Sequence, residues 1–212
     1  MIYEDDNILV VFKQQGIETA SEITKNTLEN QIRKTIPEAM AVHRLDVNTE
    51  GLVIFSKNKI AKAELDMAFK NGWVEKTYLA LCFGLLRKSP VTLVGYLLKD
   101  SSRGTVKISK EKVKGSLPVK TVVRHLKSIG DFNLLEVKLL TGRTHQIRAH
   151  LASVGLSIVG DVKYGDFKLN RAYGYKKQCL CAVKLEFRFP SASPLSYLNK
   201  KRFEAKPTTF GY

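Results

Sequence analysis

Hydrophobic residues along this chain follow two periods, and the switches between them mark the elements. Ile8-Leu9-Val10-Val11-Phe12 is a short apolar run that predicts a first strand, closed by the polar loop Lys13-Gln14-Gln15-Gly16. Leu28, Ile32 and Ile36 recur at helical spacing behind Asn26-Thr27-Leu28-Glu29, which has the form of a capping box, and Pro37 stops that helix. Residues 39–42 lead into a polar turn at 43–46, and residues 51–55 leave it as a strand. Asn58 is placed to cap a second helix with Ala61, Leu65 and Ala68 or Phe69 facing inward and Gly72 as its stop.

Beyond Trp73 the pattern turns to strands. Residues 73–83, 91–97, 105–108, 119–126 and 134–140 are β-branched or alternating runs separated by clusters of Gly, Pro, Ser and Lys, and such turn-rich connections predict largely antiparallel pairing. Residues 144–154 return to helical spacing, with Ile147, Leu151 and Val154 on one stripe and Gly155 as the stop. Residues 180–189 and 197–203 close the chain as strands. The intervening stretch, 161–178, reads as a basic loop of a length at which mobility is common. The expected fold is a single α+β domain over residues 1–212, built on a mixed, mostly antiparallel sheet with few flanking helices.

Composition agrees with a folded domain: 212 residues and 44% hydrophobic content suffice for a core. No stretch approaches the roughly 18–20 consecutive apolar residues of a membrane span. The start Met1-Ile2-Tyr3-Glu4-Asp5-Asp6 is acidic where a signal peptide is basic, so a cytoplasmic protein is expected. Cys82, Cys179 and Cys181 cannot all pair and lack the Cys-x-x-Cys spacing, which makes them reduced structural thiols.

Charge changes the picture. The net +15 is divided unevenly: residues 1–106 carry 14 Lys and Arg against 13 Asp and Glu, whereas residues 107–212 carry 21 against 7. A one-sided basic field suits a polyanion, because each neutralised phosphate releases counterions. No basic amphipathic helix with a bulky apolar face points to a membrane surface instead.

Phosphate-loop, dinucleotide-binding, zinc-protease and Gly-x-Ser-x-Gly signatures are all missing from the sequence, so a reaction without cofactor or metal is the expectation. His145 and His150 lie five positions apart, about 140° around a helix, and do not share a face for a metal. Asp46 taken alone is an ordinary turn residue. Arg148, one turn past the start of the helix over 144–154, is alone an ordinary helix charge. If the two pack together, the guanidinium holds the carboxylate ionised and fixes its direction. Tyr78, in Lys76-Thr77-Tyr78-Leu79-Ala80-Leu81, is either strand packing or a stacking platform for an extruded base.

Four runs taken in order resemble the successive motifs of the RluA family of RNA pseudouridine synthases. They are His43-Arg44-Leu45-Asp46 with Thr49 and Gly51; Lys76-Thr77-Tyr78-Leu79-Ala80; Thr141-Gly142-Arg143-Thr144-His145-Gln146-Ile147-Arg148-Ala149-His150-Leu151; and Gly160-Asp161 with Tyr164-Gly165. The resemblance implies the pseudouridine synthase catalytic-domain fold and isomerisation of a uridine within rRNA or tRNA, with no cofactor, no metal, no membrane and no obligate protein partner. It implies Asp46 as the catalytic aspartate, Tyr78 as the active-site tyrosine, Arg148 as the cation paired with Asp46, and Leu180 as an apolar residue against the site. Arg44, Leu45, Arg143, His145 and Gln146 are further substrate-binding candidates. Lys107, Lys110, Lys112, Lys114, Lys163, Lys168, Arg171, Lys176 and Lys177 are candidates for RNA phosphate contacts.

The sequence departs from the family pattern in three places. Its Lys-Pro after the first strand is Lys13-Gln14 here, its Thr-Ser-Gly is Thr49-Glu50-Gly51, and its Leu-His-Ala is Leu180-Cys181-Ala182. Glu50 matters most, because a second carboxylate near Asp46 raises a nucleophile's pKa unless it points to solvent, and it is expected to face away from the pocket. With the first strand at Ile8, a stand-alone catalytic domain without a preceding S4-type RNA-binding domain is expected. Two other classes remain: a metal-independent ribonuclease using His43, His145 or His150 as acid and base, and a non-catalytic RNA-binding protein or chaperone.

Overall fold

The computed structural model describes residues 1–86 and 88–210. In chain order its elements are β1 (Tyr3–Glu4), β2 (Ile8–Lys13), α1 (Leu28–Ile32), β3 (Met40–Ala41), β4 (Glu50–Ser56), α2 (Lys59–Asn71), β5 (Val74–Cys82) and β6 (Val91–Asp100). There follow β7 (Thr105–Ser109), β8 (Leu117–Ile129), β9 (Phe132–Leu139), α3 (Gln146–Ala152), α4 (Phe167–Ala172), β10 (Leu180–Phe187), a 3-10 turn at Ser196–Leu198 and β11 (Arg202–Glu204). They fall into two compact units, the first Met1–Lys76 with Cys181–Pro207, the second Thr77–Leu180 with the residues from Thr208 onward.

In the first unit β4 is central. It runs antiparallel to β2 in the register Ile8↔Ser56 through Lys13↔Gly51, and parallel to β10 with Cys181↔Glu50 and Ala182↔Gly51. All seven residues of β4 are buried, as expected of a strand flanked on both sides. Gly51 sits at φ +122°, and a Cβ there would lie 2.3 Å from the Ala182 carbonyl oxygen, so only glycine permits this approach of β4 to β10. β1 extends the sheet beyond β2, β11 pairs with β10, and β3 pairs with the end of β4. Helix α2 covers the sheet: Ala61, Leu65 and Ala68 join Ile8, Val10, Leu52, Ile54, Leu185 and Phe187 in one core. Its ends are those the sequence indicates, with Asn58 Oδ1 accepting the Ala61 N–H at 2.8 Å and Gly72 left-handed at φ +72°.

The second unit is an antiparallel sheet in the order β5-β9-β8-β6-β7. A register shift between His125 and Lys127 interrupts β8 against β9. On one face Leu97, Val106, Val119 and Ala149 form a small core, with Ile108 and Tyr164 packed against it. The strands and the antiparallel pairing are those expected, and the fold is a mixed, mostly antiparallel α+β arrangement with few helices.

Four local expectations are corrected. The helix after Asn26 is only Leu28–Ile32: Thr27, not Asn26, caps it, through Oγ1 to the Asn30 N–H at 3.1 Å. Glu29 instead accepts the Ala41 N–H and pairs with Arg33, so the capping box does not close. Helix α3 begins at Gln146 rather than Thr144, because His145 is left-handed at φ +56° and interrupts the path. The basic stretch 161–178 contains α4, capped by Asp166 Oδ1 on the Leu169 N–H, and is anchored by buried Asp161 and Asn170. Over 197–203 the chain makes a 3-10 turn and a three-residue strand, with the Tyr197 hydroxyl donating to Asp5. Among the described residues no helix is long and apolar enough to cross a membrane.

Candidate active site

The turn bearing Asp46 is held on both sides. Ahead of it, Leu45 is buried and exchanges two hydrogen bonds with the Thr19 hydroxyl, its N–H donating at 3.1 Å and its carbonyl accepting at 3.3 Å. The Asp46 carbonyl accepts the Thr49 N–H at 3.0 Å, and the Val47 carbonyl accepts the Gly16 N–H at 2.9 Å. Arg44 is exposed and Asp46 half-buried. Leu45, a candidate for substrate contact, belongs to the support of the turn.

Lys13 completes the anchor. Expected as the first residue of a polar loop, it is the last residue of β2 and fully buried. Its ammonium donates to the carbonyls of Ile17 at 2.9 Å, Gln14 at 3.0 Å and Val47 at 3.1 Å, which uses all three of its hydrogens. Burial pushes its pKa down to about 8, against the opposite pull of the negative charges of Asp46 and Glu50. Glu50 does not face solvent: it is 0% exposed, in β4 beside Gly51, the register partner of Lys13. Glu50 is thus a buried carboxylate, and the buried Lys13 ammonium shares its surroundings. The clue in the sequence was a lysine ending an otherwise apolar strand.

His43 is locked as a neutral ring. Its Nε2 accepts the Ile54 N–H at 3.0 Å, its ring stacks on Phe69 with centroids 4.7 Å apart, and burial together with the positive Lys76 pushes its pKa down to about 3. A histidine so held is a poor general acid near neutrality.

In the second unit Tyr78 is buried on β5 opposite Val137 of β9. Arg148, in the first turn of α3, is also buried. It meets Asp161 through Nε to Oδ2 at 2.7 Å and Nη2 to Oδ1 at 2.9 Å, while its guanidinium lies 5.1 Å from the Tyr164 ring centroid. Asp161 Oδ1 further accepts the N–H groups of Lys163 at 2.8 Å and Tyr164 at 3.0 Å. Burial by itself raises the Asp161 pKa, but the Arg148 bond and charge and the two amides hold it below the ordinary carboxylate value. Asp161 and Tyr164 were visible in the sequence only as motif residues with no assigned role.

The loop before α3 is equally well defined. Gly142, Arg143 and Thr144 are exposed, His145 Nδ1 lies 2.9 Å from the Tyr164 hydroxyl, and Gln146 is buried. His150 is buried with Nδ1 3.0 Å from the Thr121 hydroxyl, and burial lowers its pKa. Leu180 is buried between Cys179 and Cys181, whose own burial is complete. Lys107, Lys110, Lys112, Lys114, Lys163, Lys168, Arg171, Lys176 and Lys177 are all exposed, and Lys163 Nζ donates to the Gly104 carbonyl at 3.0 Å. Among the described residues no group of three or more His, Cys, Asp or Glu side chains is arranged to hold a metal ion.

Comparison with known proteins gives these features a setting. Residues 7–153 match the model of the RNA pseudouridylate synthase family. Ribosomal large subunit pseudouridine synthase C of Rickettsia bellii is 37% identical over 186 residues, covering 80% of this chain and 58% of that protein. An uncharacterized RNA pseudouridine synthase of Bacillus subtilis, YhcT, is 34% identical over 178 residues, covering 78% and 57%. The chain thus spans less than two thirds of the length of these relatives. Among solved structures, human RNA pseudouridylate synthase domain containing 1 superposes with a TM-score of 0.76 at 30% identity, covering 90% of this chain and 78% of that one. With more than half of its length matched by the family model, the chain belongs to the RNA pseudouridylate synthase family, in its RluA-type branch.

Proposed function

We propose that this chain is an RNA pseudouridine synthase in which Asp46 is the catalytic carboxylate. The observation that carries this reading is the Asp46 turn, held by Leu45–Thr19 contacts on one side and by the buried Lys13 ammonium on the other, within the segment matched by the family. A reaction that breaks one glycosidic bond and makes another at the same carbon needs its carboxylate fixed before substrate arrives.

In the proposed reaction the N1–C1′ bond of a uridine breaks, the uracil turns in place, C5 bonds to C1′, and the C5 proton leaves. Asp46 either attacks C1′, adds to C6 of the base, or removes the 2′ proton to give a glycal. Each route requires it ionised. Tyr78 is assigned the active-site tyrosine, Arg148 the cation that holds Asp46, and Leu180 the apolar wall, following the motif correspondence. Arg148 itself is oriented by Asp161, which supports a fixed rather than a searching guanidinium.

The substrate proposed is structured rRNA, in keeping with a relative named as a ribosomal large subunit synthase. tRNA is the second RNA to test. The uridine is extruded at the cost of roughly a few kcal/mol usual for base flipping, and the exposed lysines and arginines of the second unit supply phosphate contacts. Neither His43 nor His150 is suited to ribonuclease chemistry, since burial favours the neutral ring at both. Incubating rRNA and tRNA with the chain, then mapping pseudouridine by selective chemical adducts and primer extension, tests the reading. A modified position is expected; shortened RNA or unchanged uridine contradicts it.

A further inference from the structure

The Gln146 side chain uses every hydrogen-bonding position it has. Its Oε1 accepts the Thr141 hydroxyl at 2.9 Å and the Arg143 N–H at 3.1 Å; its Nε2 donates to the Lys120 carbonyl at 3.2 Å and the Thr121 hydroxyl at 3.0 Å. A carboxamide has two lone pairs and two hydrogens, so this set is complete. Turning the amide over would set its NH2 against the Arg143 N–H, and the orientation is therefore fixed. Thr141 closes the circuit, because its oxygen accepts the Lys120 N–H at 2.9 Å while its proton goes to Gln146. Gln146 is 2% exposed, whereas the residues it pins, Gly142 to Thr144, are exposed.

We propose that Gln146 is a positioning residue that ties the Thr141–Arg143 loop to β8 and thereby presents the Arg143 guanidinium to a phosphate of the RNA backbone. This rests on the reading of RNA as the substrate. Buried and fully bonded, Gln146 touches no RNA itself and acts through Arg143. Holding the backbone N–H of Arg143 keeps the loop where its guanidinium reaches a phosphate; released from Gln146, the loop no longer presents it and that phosphate contact is lost. Thr121 links the same circuit to buried His150, so the loop is attached to both β8 and α3.

The test is binding of a short oligouridylate by the full chain over a series of salt concentrations, for wild type, Gln146→Met, Arg143→Ala and the double variant. Gln146→Met is expected to weaken binding roughly five- to tenfold and to flatten the dependence of log Kd on log salt by about one phosphate contact. Arg143→Ala is expected to do the same, and the double variant to bind no worse than Arg143→Ala alone. A general loss of stability leaves the salt slope where it was. An unchanged slope in Gln146→Met, or losses that multiply in the double variant, overturn the proposal. Should Gln146→Met fail to fold, Thr141→Val loosens the same loop from its outer side and is read by the same slope. A wild-type chain that binds oligouridylate but forms no pseudouridine overturns the proposed activity and leaves this test intact; one that binds no RNA overturns both.

Discussion

Arg148 and Asp161 face each other as a bidentate pair, at 2.7 and 2.9 Å, with side chains 5% and 0% exposed. Two planar groups locked in this way leave the guanidinium little rotational freedom. Neutralising Asp161 takes a counter-charge and the bidentate hydrogen bonding from the buried guanidinium. Asp161→Asn is therefore expected to lower unfolding stability by roughly 3–5 kcal/mol, measured by urea unfolding. A loss within error of zero would show that the pair is not a structural element.

Lys13 and the two carboxylates it serves give a second prediction. Lys13→Met takes three hydrogen bonds from the carbonyls of Gln14, Ile17 and Val47 and one positive charge from the surroundings of buried Glu50, so both stability and turnover are expected to fall. Adding Glu50→Gln removes the negative charge that the Lys13 ammonium offset and should restore part of the stability but not the anchoring of Val47. Equal stability losses in Lys13→Met with and without Glu50→Gln would contradict the coupling.

The pH dependence follows from His43. Its folded pKa, about 3, lies below the ordinary value of 6.5. Between these values the unfolded chain takes up a proton that the folded chain does not. Stability is full above about pH 6.5 and declines as pH falls, at up to about 1.4 kcal/mol per pH unit. His150, also lowered by burial, acts in the same sense. Unfolding free energies at pH 7 and pH 5 should differ more in wild type than in His43→Gln; the reverse order contradicts the assignment.

Local signals made some of this legible in the sequence. Helix α2 was readable at both ends because Asn58, the Ala61–Leu65–Ala68 stripe and Gly72 all point the same way. The strands of the second unit were readable from alternation and turn residues. What escaped depends on contacts distant in sequence or on single backbone angles. No periodicity joins Arg148 to Asp161, thirteen residues on. Glu50 looked like a surface charge because its burial is set by β2 and β10, both distant in sequence from Glu50. The start of α3 shifted by two residues because one histidine is left-handed, which no hydrophobic pattern encodes. Helix α4 is a short six-residue helix whose one buried residue is Asn170, so it carries no apolar stripe.

Asp46 is the residue proposed to perform the chemistry on uridine. Tritium placed at C5 of uridine in rRNA leaves for water only when C5 has become the glycosidic carbon, so its release counts turnovers. The wild-type chain is expected to release it, and Asp46→Asn is expected to release none while retaining RNA affinity within about twofold, since the change removes a charge from a half-buried turn and leaves the basic surface intact. Tritium release by Asp46→Asn at a rate comparable to wild type would contradict a catalytic role for Asp46.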